Sequence, residues 1–148
     1  MSKAASILDA KLTYLYSRTG GNAVKLGLDT TRALLKAVGV DPQRLPCLHV
    51  AGTNGKGSVS AMLESVLRAA GLRTALSTSP HLIRFTERIR VHRQPIPAED
   101  LLRLLDEVER ADTIQAAEHG GRAGTFFAPT TTVALNWFLE QAEGRKIT

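Results

Sequence analysis

The fold is decided by His49-Val50-Ala51-Gly52-Thr53-Asn54-Gly55-Lys56-Gly57-Ser58, in which an apolar run leads into a glycine-rich loop. The run over 46–52 has the length and the apolar character of a parallel strand that is covered on both faces of its sheet. A strand in that position would be buried. We therefore expect the thiol of Cys47 and the ring of His49 to lie in the core.

A helix and a second strand follow the loop. Apolar residues recur at helical spacing over 59–67, and Gly71 can end this helix in the left-handed conformation. The run over 73–77 then predicts a strand. A strand, a glycine-rich loop, a helix and a strand within about 30 residues predict a βαβ unit with parallel strands. The fold class is therefore α/β, with a partly parallel sheet flanked by helices.

The rest of the chain adds further helices and one more strand. Helical spacing and capping residues predict a helix that carries Leu8, Leu12 and Leu15, one from Asp29 or Thr30 to Gly39, one that begins at Pro97 and carries residues 101–108, and one over 130–142. Alternation over 89–92 predicts an exposed strand.

The length bounds the number of domains. A chain of 148 residues with 43% hydrophobic content can bury one core, so we expect one domain or a part of one. We divide it into a helical lead-in, 1–45, and a glycine-loop α/β core, 46–148, which we expect to be incomplete.

Charge and composition exclude several classes of function. The formal net charge of +5 suits a polyanionic partner, but aromatic residues make up only 5% and no basic run is interleaved with them. We therefore expect no nucleic-acid partner. The single cysteine agrees with a reducing compartment. No apolar run is long enough to cross a bilayer, so we expect no membrane partner and a cytoplasmic location.

The glycine-rich loop has the features of a phosphate-binding site. Glycines let several backbone N–H groups approach a triphosphate closely, and the first turn of the following helix adds its own N–H groups and the positive end of its dipole. Lys56 supplies a full positive charge, and the Ser58 hydroxyl can coordinate Mg²⁺. The predicted nucleotide-binding residues are Gly52, Thr53, Asn54, Gly55, Lys56, Gly57 and Ser58.

The loop departs from the strict P-loop pattern in two places. Val50 stands where the first glycine of that pattern belongs, and Gly57 separates Lys56 from Ser58. The alternative is an ordinary glycine-rich turn between a strand and a helix. The position of the three glycines, the lysine and the serine between a predicted strand and a predicted helix favours nucleotide binding.

Three segments together resemble the signature of the folylpolyglutamate synthase and dihydrofolate synthase family, a branch of the Mur ligase superfamily. They are the loop quoted above, Thr78-Ser79-Pro80-His81-Leu82, and Glu87-Arg88-Ile89. The pair Gly57-Ser58 after the lysine is the folate-branch form, whereas relatives that build peptidoglycan precursors usually carry threonine there. The chain resembles the N-terminal, ATP-binding part of the family.

The resemblance implies an ATP-dependent ligase of folate biosynthesis, with ATP and Mg²⁺ as cofactors. The carboxylate of dihydropteroate or tetrahydrofolate attacks the γ-phosphate and forms an acyl phosphate. The amine of L-glutamate then displaces the phosphate. Lys56 is the implied catalytic residue, because its charge stabilises the transferred phosphoryl group. Which of the two acceptors is used, or whether both are, stays open.

The resemblance also assigns roles after the second strand. Ser79 would contact a second metal near the pterin site, and Ser79, Pro80 and His81 would bind the acceptor. The alternatives are a turn serine that precedes a proline and a loop histidine that hydrogen-bonds to the backbone. Glu87 and Arg88 are expected either to pair and fix this loop or to be solvated.

Two departures from the family limit what the resemblance implies. In the family, the segment that matches Thr125-Phe126-Phe127 continues with a glutamate that binds the metal, and here Ala128 follows. Complete members have several hundred residues, are expected to be monomeric and carry a C-terminal glutamate-binding domain, which is absent from these 148 residues. We therefore expect this chain to bind nucleotide without ligating glutamate. The alternative is a non-catalytic, nucleotide-binding remnant of such a ligase.

Overall fold

The structure is a computed structural model that describes residues 3–18, 28–118 and 124–144. Its elements follow in the order α1 Lys3–Ser17, α2 Asp29–Ala37, α3 Lys56–Ala69, β1 Ala75–Ser77, β2 Ile89–Val91, β3 Gln94–Pro95, α4 Ala98–Glu118 and α5 Phe127–Glu143. Two short 3-10 helices, Pro42–Arg44 and Phe85–Arg88, lie in the connections.

Helices α1, α2, α4 and α5 pack around one hydrophobic core. Each presents an apolar stripe to the others, and the stripes meet at fully buried side chains such as Leu15, Leu34, Leu104 and Val133. Burying one such side chain stabilises the fold by about 1.5–3 kcal/mol. The two N-terminal helices are therefore part of the same core as the later ones.

Helix α5 begins three residues earlier than the sequence predicts, at Phe127 rather than Thr130. The difference arises at Pro129, which fits the first turn of a helix because an N–H group at that position has no carbonyl partner within the helix. Trp137 and Phe138 of α5 are 4% and 8% exposed and belong to the core.

The sheet of the described residues is antiparallel. It has the order β1-β2-β3, with Ala75 opposite Val91 and Ser77 opposite Ile89. Strands β2 and β3 form a hairpin whose turn places His92 and Arg93 at φ values of 48° and 67°. The strands predicted over 73–77 and 89–92 are found at Ala75–Ser77 and Ile89–Val91, but the second is not exposed, because Ile89 is fully buried. The expected parallel pairing is not found among the described strands.

The apolar run over 46–52 is not a strand, and this corrects the prediction of a buried one. Among the described residues no neighbouring strand hydrogen-bonds to it. Leu48 is 68% exposed, and both Cys47 and His49 are exposed rather than in the core. An apolar run becomes a parallel strand only when strands lie beside it, and the sequence of the run does not say whether they do.

Helix α3 packs on β1 but leaves an apolar face uncovered. Val59, Met62 and Val66 are 43%, 60% and 66% exposed. Its apolar spacing is that of a helix with a buried stripe, as the sequence predicts. In the described structure that stripe faces solvent.

The described residues combine helices with a small sheet, and the predicted α/β class is confirmed. In the part of the chain described, no helix is both long and apolar enough to span a bilayer.

Candidate functional site

The glycine-rich loop opens helix α3, as the sequence predicts. Gly55 is the residue before the helix and has φ 73°, and Gly52 has φ 148°. Other residue types seldom adopt these conformations, so glycine is needed at both positions for the turn that the loop makes. No atom lies within 4 Å of a Cβ placed on Gly55 or Gly57. The surface above the loop is therefore open.

Lys56 folds back over this loop. Its Nζ atom donates hydrogen bonds to the carbonyl oxygens of Gly52 at 2.6 Å and Thr53 at 3.2 Å. The side chain is exposed, so these bonds cost little to break. The loop thus holds a mobile cation in the place where a phosphate would need one.

The first turn of α3 supplies further donors. The first hydrogen bond of the helix runs from the Val59 N–H to the Gly55 carbonyl at 2.9 Å. The N–H groups of Lys56, Gly57 and Ser58 precede it and have no carbonyl partner within the helix. The Ser58 residue is exposed. Amides, the positive end of the helix dipole and a hydroxyl therefore meet at one end of α3.

A buried hydrogen bond fixes α3 to the sheet. The Thr74 hydroxyl donates to Oε1 of Glu64 at 2.8 Å, and the two residues are 6% and 8% exposed. Thr74 lies before β1, so by this point the chain has already returned along α3 from its end at Ala69. Leu76 of β1 and Ala61 of α3 line the same small pocket as this pair, so β1 runs beside α3 toward the half of the helix that begins at the glycine-rich loop.

The loop after β1 carries the predicted acceptor residues. The Thr78 N–H donates to the Arg88 carbonyl at 3.0 Å, and the Ser79–Pro80 peptide bond is cis. Ser79 and Pro80 are exposed, whereas His81 is half-buried. The three predicted residues thus share one short turn.

Glu87 stabilises the backbone of residues 82–84, which follow that turn. Its carboxylate accepts hydrogen bonds from the N–H groups of Leu82 at 3.0 Å, Ile83 at 3.1 Å and Arg84 at 2.8 Å. These bonds lower the pKa of the Glu87 carboxyl, chiefly the one from Leu82, then that from Arg84. The expected pairing with Arg88 is not found. Each residue holds the loop separately.

Arg88 contacts this loop from the interior of the protein and lies among aromatic rings. Its Nε atom donates to Nδ1 of His81 at 2.9 Å. Its guanidinium lies 5.4 Å from the centroid of the Phe85 ring and 5.2 Å from that of Phe126. The Phe126 ring stacks on Tyr16, with the centroids 5.0 Å apart. The motif singled out Arg88, but nothing in the sequence places Tyr16 and Phe126 beside it.

The segment that begins α5 is anchored at Gly124. Its N–H donates to Oδ1 of Asp112 at 2.9 Å, and Arg18 donates both to the Asp112 carboxylate and to the Gly124 carbonyl. Asp112 is 3% exposed. This connection joins α1, α4 and the start of α5. It therefore positions the Phe126 ring against the rings of Tyr16 and Phe85.

Ala128, at the position where the resemblance implies a glutamate, lies in the hydrophobic core and is 6% exposed. No group of three or more histidine, cysteine or acidic side chains in the described ranges is arranged to hold a metal ion. The hydroxyls of Ser58 and Ser79 are the predicted metal contacts.

A wide groove of about 780 Å³ lies elsewhere, between α2 and α4. Its wall includes Arg103 and Glu107, and burial raises the pKa of the Glu107 carboxyl against the opposing charge of Arg103. None of the predicted site residues lines this groove.

The chain is similar in sequence to proteins of one family. The chain is 36% identical over 141 residues to dihydrofolate synthase/folylpolyglutamate synthase of Escherichia coli K12, covering 95% of this chain and 31% of that protein. It is 36% identical over 118 residues to the Bacillus subtilis 168 protein of the same name, covering 79% of this chain and 27% of that protein. No family model matches the chain.

Solved structures show the same relationship. The Mycobacterium tuberculosis folylpolyglutamate synthase complexed with ADP superposes with a TM-score of 0.79 at 30% identity, covering 94% of this chain and 31% of that one. The chain belongs to the folylpolyglutamate synthase/dihydrofolate synthase family. The Escherichia coli FolC complex with DHPP and ADP superposes with a TM-score of 0.74 at 36% identity, covering 96% of this chain and 32% of that one. Against these members of the family, the chain spans about a third of the length and corresponds to the N-terminal part.

Proposed function

We propose that the chain is the nucleotide-binding part of an ATP-dependent ligase that adds L-glutamate to dihydropteroate or tetrahydrofolate. We assign 1–148 to the N-terminal part of the ATP-binding domain, with 1–45 as its helical lead-in and 46–148 as its glycine-loop core. Support comes from relatives that carry this name and from family structures that hold ADP, DHPP, AMPPCP and folate.

The observation that carries the proposal is the geometry of the glycine-rich loop. Gly55 is left-handed at the start of α3, and Lys56 lies directly after it with its ammonium over the loop. A triphosphate would accept hydrogen bonds from the loop and first-turn N–H groups, and its charge would draw Lys56 away from the Gly52 and Thr53 carbonyls. Lys56 would then neutralise charge on the transferred phosphoryl group.

The described residues fit a magnesium ion that arrives with the nucleotide. Mg²⁺ usually keeps several waters and takes only one or two protein oxygens beside the phosphates. Ser58 offers an exposed hydroxyl in the first turn of α3, and Ser79 offers another in the loop after β1. When bound, the ion would neutralise phosphate charge.

We place the acceptor at the loop after β1. Ser79, Pro80 and His81 share one turn, Arg88 donates a hydrogen bond to His81, and Glu87 accepts from the backbone that follows the turn. A fixed backbone and a ring cluster suit a flat, aromatic acceptor, because little conformational freedom is lost when it binds. The acceptor carboxylate would attack the γ-phosphate with release of ADP, and the glutamate amine would then displace phosphate from the acyl phosphate.

The proposal includes a cytoplasmic location and small-molecule partners alone. The nucleotide, the acceptor and L-glutamate are the partners, and neither nucleic acid nor a membrane takes part. We propose that the complete ligase is a monomer.

Separate binding measurements test the proposal. We expect the purified chain to bind ATP in the presence of Mg²⁺, and to bind dihydropteroate or tetrahydrofolate, by isothermal titration calorimetry. A folded chain that binds neither ATP nor ADP would contradict the nucleotide role. One that binds nucleotide but no acceptor would contradict the folate role alone.

A further inference from the structure

Arg88 is a buried cation. The residue is 8% exposed, and its guanidinium carbon lies 5.4 Å from the Phe85 ring centroid and 5.2 Å from that of Phe126. Arginine stacks on aromatic rings in this way, but a stack does not satisfy the in-plane N–H groups. Those donors need acceptors in the same plane.

Among the described residues, Arg88 has no anionic partner. The ion pairs there engage Lys11, Arg18, Arg32, Arg44, Arg68 and Arg103, and none of them involves Arg88. The neighbouring carboxylate, Glu87, accepts from the backbone of 82–84 instead. Buried charges in proteins are paired or bind ligands, because an unpaired one loses its hydration without compensation.

The hydrogen bond to His81 adds a second donor. Arginine can only donate, so Nδ1 of His81 accepts from Nε of Arg88 at 2.9 Å. A neutral imidazole that accepts at Nδ1 carries its proton on Nε2. The pair therefore offers the guanidinium Nη groups and one imidazole N–H, which are all donors. Such a set recognises an anion with several oxygens.

The surrounding surface indicates what the anion is attached to. Phe127 is 64% exposed and lies edge-on to Phe126, with the ring centroids 5.4 Å apart. The aromatic cluster that buries Arg88 thus reaches the surface at Phe127. An aromatic acid binds through a ring contact and a cationic partner, and this one cluster contains both an exposed ring and a buried guanidinium.

We propose that Arg88, supported by His81, binds the ionised carboxylate of the aromatic acceptor. This inference rests on the proposed function and assigns Arg88 as the residue that selects the charged acceptor. The nucleotide phosphates are the other source of such an anion. The exposed Phe127 ring, which belongs to the same aromatic cluster as Arg88, favours the acceptor.

The test compares two ligands of the same size, one with an ionised carboxylate and one with a neutral carboxamide in its place. Pteroate and its carboxamide are titrated into the full chain, its Arg88→Met variant and its Arg90→Met variant. Methionine keeps an unbranched stem on the rings, and Arg90→Met removes an equal charge two residues away. We expect the parent and Arg90→Met to prefer pteroate by about ten- to hundredfold, the range of a charge-assisted hydrogen bond. In Arg88→Met the preference should fall close to one.

Other outcomes overturn the inference. If Arg88→Met still prefers pteroate over the carboxamide, Arg88 does not recognise the carboxylate. The same conclusion follows if the parent binds both ligands equally. A weaker affinity for ATP in Arg88→Met with an unchanged ligand preference would assign the anion to the nucleotide. If neither pteroate nor the amide binds while ATP does, the folate role fails and this inference fails with it.

A second variant keeps the inference testable if Arg88→Met does not fold. Arg88→Lys keeps the charge and loses the planar fork, and we expect it to retain only part of the preference. Circular dichroism melts of each variant report folding before titration. The comparison of the two ligands on the parent stands without any variant.

Discussion

The Thr74 hydroxyl donates a 2.8 Å hydrogen bond to the Glu64 carboxylate, and both side chains are buried. Glu64 is the buried residue of α3, the helix that begins at the glycine-rich loop. One polar contact therefore ties the middle of this helix to the residue that precedes β1. Its removal has a measurable consequence.

We expect Thr74→Val to lower the free energy of unfolding by about 1–3 kcal/mol, because the buried Glu64 carboxylate loses a hydrogen bond. Urea denaturation followed by circular dichroism measures the change. Thr113→Val is the matched control: its hydroxyl donates to the Glu109 carbonyl on the exposed side of α4. An equal loss of stability in both variants would show that the contact with Glu64 has no special weight.

The hydrogen bonds that Glu87 accepts predict a pH dependence. Its carboxyl has a pKa below the usual value of 4.5, chiefly because the Leu82 N–H donates to it. A lowered pKa means that the folded state favours the ionised carboxylate. Its contribution is therefore complete at neutral pH and is lost as the pH falls below 4.5 through the lowered pKa.

Hydrogen exchange by NMR measures this effect. Protection of the Leu82, Ile83 and Arg84 amides should fall on acidification, and Glu87→Gln should reduce it at neutral pH. The Val59 amide, which donates to a backbone carbonyl, serves as the control. Unchanged protection of the three amides in Glu87→Gln would contradict this role of Glu87.

Gly124 and Gly57 predict opposite effects of the same substitution. A Cβ on Gly124 would lie 3.1 Å from Cγ2 of Thr30 and 3.3 Å from Oδ1 of Asp112, whereas one on Gly57 meets nothing within 4 Å. We expect Gly124→Ala to destabilise the fold by about 1–3 kcal/mol. Gly57→Ala lies in the first turn of a helix and should be neutral or stabilise it by up to about 1 kcal/mol. Thermal melts that rank the two variants the other way would contradict the packing at Gly124.

The helices could be predicted from the sequence because their signals are local. Spacing and capping residues place α1 to α5, and the start of α5 differs only because Pro129 fits a first turn. The prediction of a strand over 46–52 is wrong, because strand pairing depends on distant residues that the local pattern does not reveal. The β2–β3 turn at His92 and Arg93 lacks the glycine or asparagine that usually marks it.

The same distinction between local and distant signals applies to the candidate site. The loop from Gly52 to Ser58 can be recognised because its chemistry is contiguous in sequence. Tyr16, Arg88 and Phe126 come from three distant segments and meet only in the folded chain. The burial of Arg88, on which its proposed role depends, has no sequence signal.

We expect that the 148-residue chain does not ligate glutamate, even when it binds ATP. It spans about a third of the length of its relatives, and a buried alanine stands at position 128. Positioning two reactants can lower a barrier by roughly 7–11 kcal/mol, so a chain that does not hold the amine loses most of its catalytic power.

Mass spectrometry measures this directly. The chain is incubated with ATP, Mg²⁺, L-glutamate and either dihydropteroate or tetrahydrofolate, and the conjugate is sought. Turnover that is abolished by Lys56→Ala, which excludes a contaminating ligase, would overturn the expectation. It would also favour a minimal enzyme over the non-catalytic remnant.

The affinity of the chain for ATP tests the central claim most directly. Calorimetry in the presence of Mg²⁺ compares the parent with Lys56→Ala and with Lys36→Ala, an exposed lysine at the end of α2 that removes the same charge. We expect Lys56→Ala to weaken ATP binding by about ten- to hundredfold with the melting temperature unchanged, and Lys36→Ala to leave the affinity as it is. Equal affinity of the parent and Lys56→Ala would contradict the assignment of the loop to nucleotide binding.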